Sequence, residues 1–151
     1  MHLTDQPIDA ASLAGRIQTA RRGGVVTFVG HVRDHHGGRA VQRLEYSAYA
    51  PMAETACAEI VREAGERWPV SVELRHRTGE LGVGEVAVAV AVAGDHREEA
   101  FEACRWVIDE VKRRVPIWKR EYYEDGTVAW VDPTAPGGAV PAQYPAEGPR
   151  A

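Results

Sequence analysis

Glu85-Val86-Ala87-Val88-Ala89-Val90-Ala91-Val92-Ala93-Gly94 is the stretch that decides the fold. Its strict alternation is that of a strand, with valine on one face and alanine on the other. Both faces are apolar, so the strand belongs at the centre of a sheet that is covered on both sides. The alanine face lets a helix approach closely.

Upstream, Asp9 to Arg22 carries Leu13, Ile17 and Ala20 at helical spacing, and the pattern predicts a helix that stops at Gly23-Gly24. Val25 to Arg33 is rich in β-branched residues, and a second strand, Val41 to Tyr49, follows the turn-like Asp34-His35-His36-Gly37-Gly38. Together these predict a hairpin with a long, mobile loop. Pro51 suits the first turn of a helix whose stripe is Ala53, Ala56, Cys57, Ile60, Val61, Ala64 and Trp68, and Pro69 ends it. Val70 to Arg77 alternates as a strand that Gly79 closes.

Downstream, Asp95 is the expected N-cap, with Glu98 as its capping-box partner. The stripe of that helix is Ala100, Phe101, Cys104, Val107, Ile108, Val111 and Val115. Ile117 to Tyr123 and Thr127 to Val131 read as closing strands around Asp125-Gly126. The order α-β-β-α-β-β-α-β-β is an α+β layout, a mixed or antiparallel sheet with helices packed mainly on one face. One domain is expected over 1–131. Asp132 to Ala151 holds five of the nine prolines and is expected to be a flexible tail.

The 151 residues, 44% hydrophobic and 26% charged, suit a single globular core. A net charge of -4 argues against a broad basic face for nucleic acid or membrane. With no signal-peptide pattern and no charge-free apolar run long enough to span a bilayer, a cytoplasmic protein is expected. Cys57 and Cys104 fall on apolar helix stripes, which predicts core packing and leaves no obvious sulfur nucleophile.

Against this acidic background, Lys112-Arg113-Arg114-Val115-Pro116-Ile117-Trp118-Lys119-Arg120-Glu121 reverses the charge locally. Cations in the last turn of a helix complement its dipole, which accounts for Lys112 to Arg114. It does not account for Lys119 and Arg120, beyond the proline that ends the helix. Lys112 also falls at the edge of the buried stripe, where desolvation and neighbouring cations depress a lysine pKa and fit it for acid–base or nucleophilic work. A snorkelling lysine is the plain alternative. His96 and Arg97 open a helix, where they would add donors to a ready anion site, although this feature alone reads better as a capped helix with two exposed polar residues; Arg33 at a strand end is a candidate bidentate phosphate donor. His31, His35 and His36 lack a recognisable metal-ligand spacing, so no metal is expected, and His76 reads as a hydrogen-bonded structural histidine.

Several separated segments, in order, resemble the large, catalytic subunit of molybdopterin synthase. They are Thr27-Phe28-Val29-Gly30-His31-Val32-Arg33, Leu44-Glu45-Tyr46 with Tyr49 and Met52-Ala53, and His76-Arg77-Thr78-Gly79-Glu80-Leu81. His96-Arg97 with Ala100-Phe101-Glu102-Ala103, and Pro116-Ile117-Trp118-Lys119-Arg120-Glu121 with Gly126 and Trp130, complete the set. The resemblance spans Val25 to Trp130 and implies an α/β-hammerhead-like fold. It also implies a sulfurtransferase that converts cyclic pyranopterin monophosphate to molybdopterin, with two sulfurs delivered as the C-terminal Gly-Gly thiocarboxylate of a small ubiquitin-like partner subunit. By motif position Lys112 and Lys119 would be the catalytic lysines, and Arg33, His96 and Arg97 the substrate-binding residues. No cofactor or metal is implied, and the assembly would be a homodimer within a heterotetramer. The chain finishes Gly148-Pro149-Arg150-Ala151, so the sulfur donor would be a separate chain.

Two readings from other classes compete. A non-enzymatic anion- or RNA-binding module would show a solvent-facing aromatic platform near Trp118. A metal-dependent phosphohydrolase would gather His31, His35, His36, His76 and His96 around an ion.

Overall fold

The computed structural model describes residues 1–131; the expectation of a flexible tail over 132–151 lies outside the described residues. The elements are β1 (Leu3–Thr4), α1 (Ala10–Ile17), β2 (Gly24–His31), β3 (His35–His36), β4 (Arg39–Ala48), α2 (Ala50–Arg67), β5 (Val70–Arg77), β6 (Gly79–Gly82), β7 (Val86–Gly94), α3 (Arg97–Arg114), β8 (Ile117–Tyr123) and β9 (Val128–Val131). They form one α+β domain with two sheets, in the orders β1-β5-β7-β2 and β3-β4-β8-β9, with β6 paired to β4. The first sheet is mixed, because β1 runs parallel to β5 while β2 and β5 flank β7 antiparallel.

The valine–alanine strand is central, as its two apolar faces require. Val88, Val90 and Val92 join the main core with residues of α2 and α3, whereas Ala89, Ala91 and Ala93 pack under Leu13 and Ile17 of α1. Two helices therefore cover the valine face, and the short α1 sits close on the alanine face. Ala89 to Ala93 have no exposed surface. Each valine among them contributes roughly 1.5–3 kcal/mol of burial.

Five local expectations are corrected. The strand at 25–33 does not pair with 41–49: β2 pairs with β7 and β4 with β8, in different sheets. The hairpin present is the tight β3–β4 turn, closed by Gly37 and Gly38 at φ +58° and +77°, values that suit glycine. Helix α1 ends at Ile17 instead of running to Gly23, and Gly24 already belongs to β2. Asp95 does not cap α3. Its carboxylate accepts from Arg22 at 2.8 Å, and the cap passes to His96, whose backbone N–H donates to Glu99. Phe101 lies off the buried stripe of α3, 61% exposed, and Ala103 takes its place. Gly79 opens β6 instead of only closing β5.

Cys57 and Cys104 are both buried and free, as the helix stripes predict. Burial pushes the Cys57 thiol up to about 12, which keeps it protonated and inert.

Candidate active site

The site forms where α3 turns into β8. Pro116 ends the helix, the chain reverses, and Lys112 on the last turn and Lys119 on β8 come to line one cavity. The cavity is walled by Val88, Ile108, Val111, Val115 and Ile117, with Tyr46 and His76 as its other polar groups. Its volume is about 30 Å³, enough for a water or a carbonyl oxygen but not for a pterin. A larger substrate must reach the lysines from outside.

Lys112 is exposed as a residue, yet protein crowds its ammonium. Lost hydration is the main cause that holds its pKa below the ordinary lysine value, and repulsion from Lys119 and Arg33 adds to it. Lys119 is held differently. Its side chain is 19% exposed, and Nζ donates to Glu121 Oε1 at 2.9 Å.

Arg33 follows β2, whose last residues are shaped by close packing. A Cβ on Gly30 would meet Val88 Cγ1 at 2.8 Å, so only glycine lets β2 lie this near the cavity wall. Beyond it Val32 is pinned by two backbone bonds, Val32 N–H to Glu85 O at 2.9 Å and Gly84 N–H to Val32 O at 2.8 Å. Arg33 is thereby presented, exposed, near enough to Lys112 to depress it. Three of the five expected site residues thus meet in one chain.

His96 and Arg97 do not join them. Gly24 pairs with Gly94 and His31 with Val86, so β2 and β7 carry Arg33 at one end and Arg97 at the other. Arg97 and Lys112 are fifteen residues apart on α3, which at 1.5 Å per residue is about 22 Å. Within one copy the two stand at opposite ends of α3, and Arg97 does not line the cavity.

Sequence reasoning missed Tyr46 and Glu121 and gave His76 only a structural part. His76 does have the expected backbone partner: Nδ1 donates to Arg77 O at 2.7 Å, and the ring stands edge-on to Tyr46 at 4.9 Å. It also lines the cavity with a pKa lowered from 6.5 to about 4, chiefly by burial; the carbonyl contact opposes that shift and the Lys112 charge adds to it. Tyr46 is raised to about 12, first by burial and then by the Glu121 charge, and stays a neutral hydroxyl. The sequence signal was present in the Leu44-Glu45-Tyr46 and His76-Arg77 segments but carried no assigned role.

The His76 shift makes a stability prediction. At pH 7 the imidazole is neutral in both folded and unfolded chains. Between pH 6.5 and about 4 the unfolded chain takes up the proton first, so stability falls as pH falls, by about 3 kcal/mol at pH 4. His76→Gln should lose much of that slope. Chemical unfolding at pH 7 and at pH 4.5 measures it, and an unchanged slope in the variant would contradict the assignment.

Among the described residues no group of three or more His, Cys, Asp or Glu is placed to hold a metal. His36 meets Glu121 at 2.7 Å, and His31 meets the Gly84 carbonyl at 3.0 Å. The outer face of β4, β8 and β9 carries Trp118, Tyr122 and Trp130, all partly buried. Arg43 lies over Tyr122 at 4.0 Å and Arg120 over Trp130 at 4.5 Å, so the chain's own arginines occupy ring faces that bases would need. No helix among the described residues is long and apolar enough to cross a membrane.

Comparison with known proteins gives a consistent result. The family model of the MoaE protein matches residues 3–114. The molybdopterin synthase catalytic subunit of Pyrococcus abyssi is 47% identical over 117 residues, 77% of this chain and 78% of that one. Catalytic subunit 1 of Mycobacterium tuberculosis is 42% identical over 130 residues, 85% of this chain and 88% of that one. Among solved structures, molybdopterin synthase from Staphylococcus aureus superposes with a TM-score of 0.81 at 38% identity, over 85% of this chain and 94% of that chain.

Proposed function

The chain belongs to the MoaE family, the catalytic subunits of molybdopterin synthase, a sulfurtransferase of molybdenum cofactor biosynthesis, and on that premise we propose how its residues divide the work. The substrate is cyclic pyranopterin monophosphate, and two sulfurs are supplied in turn by the C-terminal thiocarboxylate of a small ubiquitin-like partner. The observation that carries this reading is the convergence of Lys112 and Lys119 on one water-sized cavity, with Arg33 beside them.

Each sulfur transfer ends when water adds to the partner's acyl carbon and the tetrahedral oxyanion collapses with cleavage of the acyl–sulfur bond, which leaves the sulfur on the pterin and a carboxylate on the partner. Lys119, charged and anchored, is suited to stabilise that oxyanion. Lys112, its pKa depressed, is suited to move protons at the pterin side chain. The neutral His76 and Tyr46 complete a wall that adds no charge of its own. Arg33 holds the phosphate.

His96 and Arg97 reach the same substrate only from a second copy, which makes the homodimer part of the site. Strand β2 supports this. It is an edge strand of eight residues with Phe28 partly exposed on it, and Phe101 is exposed on the neighbouring α3. If β2 pairs antiparallel with its own copy, the Gly24 end of one strand, beside Arg97, meets the His31 end of the other, beside Arg33. A small partner on each half then gives a heterotetramer.

Sulfur imported from a partner requires no cysteine in this chain. Cys57→Ala combined with Cys104→Ala should keep the single-turnover rate of sulfur transfer within about 2-fold, while packing losses lower the thermal midpoint. Loss of the chemical step in a folded double variant would redirect the sulfur route through this chain.

A further inference from the structure

Glu121 is the acid that the reading above leaves without a role, and it is the most enclosed carboxylate near the cavity, its side chain 3% exposed. Oε1 accepts from Lys119 Nζ at 2.9 Å; Oε2 accepts from Tyr123 Oη and from His36 Nδ1, both at 2.7 Å. We propose that Glu121 is a positioning residue of the active site, whose carboxylate aims the Lys119 ammonium into the cavity and, through His36, ties the Arg33 segment to the same strand.

Lys119 has reason to need a tether. A lysine ammonium sits on a flexible four-carbon stem, and Lys112 and Lys119 repel each other across the cavity. An ionised carboxylate fixed on the same face of the same strand, two residues on, holds one lysine against that repulsion. Glu121 is itself fixed from two further directions. Although burial opposes ionisation, the three donors outweigh it and lower the pKa, with Tyr123 the largest of them. An ionised carboxylate can only accept, so His36 carries its proton on Nδ1.

The second half of the proposal follows from the path of the chain. Arg33 lies three residues before His36, and His36 ends β3, next to the Gly37-Gly38 turn of the tight β3–β4 hairpin. Backbone bonds from Val41 N–H to Asp34 O at 2.8 Å and from Glu124 N–H to Ala40 O at 3.0 Å join this hairpin to its surroundings. The His36–Glu121 bond is a side-chain link between the Arg33 segment and the strand that bears Lys119. One carboxylate thus sets the spacing between the phosphate-binding arginine and the lysine at the acyl carbon.

The inference rests on the assignment of Lys119 and Arg33 to the reaction, and its test keeps the two apart. Single-turnover sulfur transfer, per folded site, is measured in the complete complex for Glu121→Gln, Glu121→Asp, His36→Ala and Lys119→Ala, with thermal midpoints alongside. Glu121→Gln removes the charge and Glu121→Asp keeps it but withdraws it by one methylene. Both should slow the saturated rate about 10-fold or more. His36→Ala should raise the pterin phosphate concentration at half-saturation about 10-fold, a larger change than in the saturated rate. A merely structural carboxylate would lower the midpoint and leave the rate per folded site alone. If Lys119→Ala is slow while both Glu121 variants match the wild type, the positioning role is overturned and the lysine assignment survives. Full activity in Glu121→Asp alone would mean that charge, not position, is what matters, and would also overturn it. Normal transfer in Lys119→Ala would overturn the assignment and this inference together.

Discussion

Lys119→Ala should slow sulfur transfer from a preformed thiocarboxylated partner by about 10²-fold or more, the loss typical of one oxyanion-stabilising group. The expectation comes from placement. Lys119 stands beyond Pro116 on β8, so it cannot be a cation that merely complements the C-terminus of α3. It lines the cavity opposite Lys112 and is held on Glu121. Folding should survive the substitution, because the ammonium sits in the cavity wall and not in the core. Glu121 then loses one of three donors while His36 and Tyr123 remain. Lys119→Arg should recover little, since a guanidinium is wider, planar and cannot yield a proton near neutral pH. The rate is read in single turnover, beside the thermal midpoint and partner affinity. Near-wild-type transfer in Lys119→Ala would reduce this residue to part of a docking surface.

The second large effect is expected from mixing two crippled chains. Arg97→Ala alone should weaken binding of the pterin phosphate roughly 10- to 100-fold, the scale of one lost charge-assisted contact. Arg33→Ala should do the same. Because Arg97 lies at the far end of α3 from Lys112, a site assembled across a dimer takes its lysines and Arg33 from one copy and Arg97 from the other. A mixed dimer of Lys119→Ala with Arg97→Ala then has one site with both defects and one site with neither, and about half the wild-type activity should return. Sites built within one chain would each carry one defect and recover nothing. Mixed dimers isolated on two affinity tags, compared with each parent, measure this directly.

The fold was legible where a residue pattern determines burial on its own. Alternation of valine and alanine over 86–93 placed β7 at the centre and assigned a close helix to the alanine face, because side-chain size fixes how near a helix can come. The proline-bounded helices were legible for the same local reason. Strand partners were not. The β2 and β4 segments are neighbours in sequence, but nothing in a period of two states which edge a strand will use, and here they fall in different sheets. The cap of α3 shifted by one residue because Asp95 is claimed by Arg22, a contact across 73 positions that no local pattern carries. β1 has two residues and pairs in parallel with β5, too short to leave any periodicity.

The site divides along the same line. Lys112 was readable from its place at the edge of a helical stripe, and Lys119 from a cation that no helix could explain. Glu121 was not, because in Lys119-Arg120-Glu121 it resembles one more surface charge, and its enclosure depends on the pairing of β4 beside β8 and on His36 reaching it from β3. His76 was read as structural from its alternation with apolar residues. That was correct for its backbone partner and silent about the cavity it faces. The separation of Arg97 from the lysines needed the antiparallel register of β2 on β7, which is a tertiary fact.

The most direct measurement mixes this chain with cyclic pyranopterin monophosphate and a ubiquitin-like partner whose C-terminus is either a thiocarboxylate or an ordinary carboxylate, and follows dithiolene formation. Dithiolene should form only with the thiocarboxylate, with two partner molecules consumed for each product and no sulfur lost from Cys57 or Cys104. Dithiolene from the carboxylate partner plus a free sulfide source, or none from the thiocarboxylate, would contradict the account.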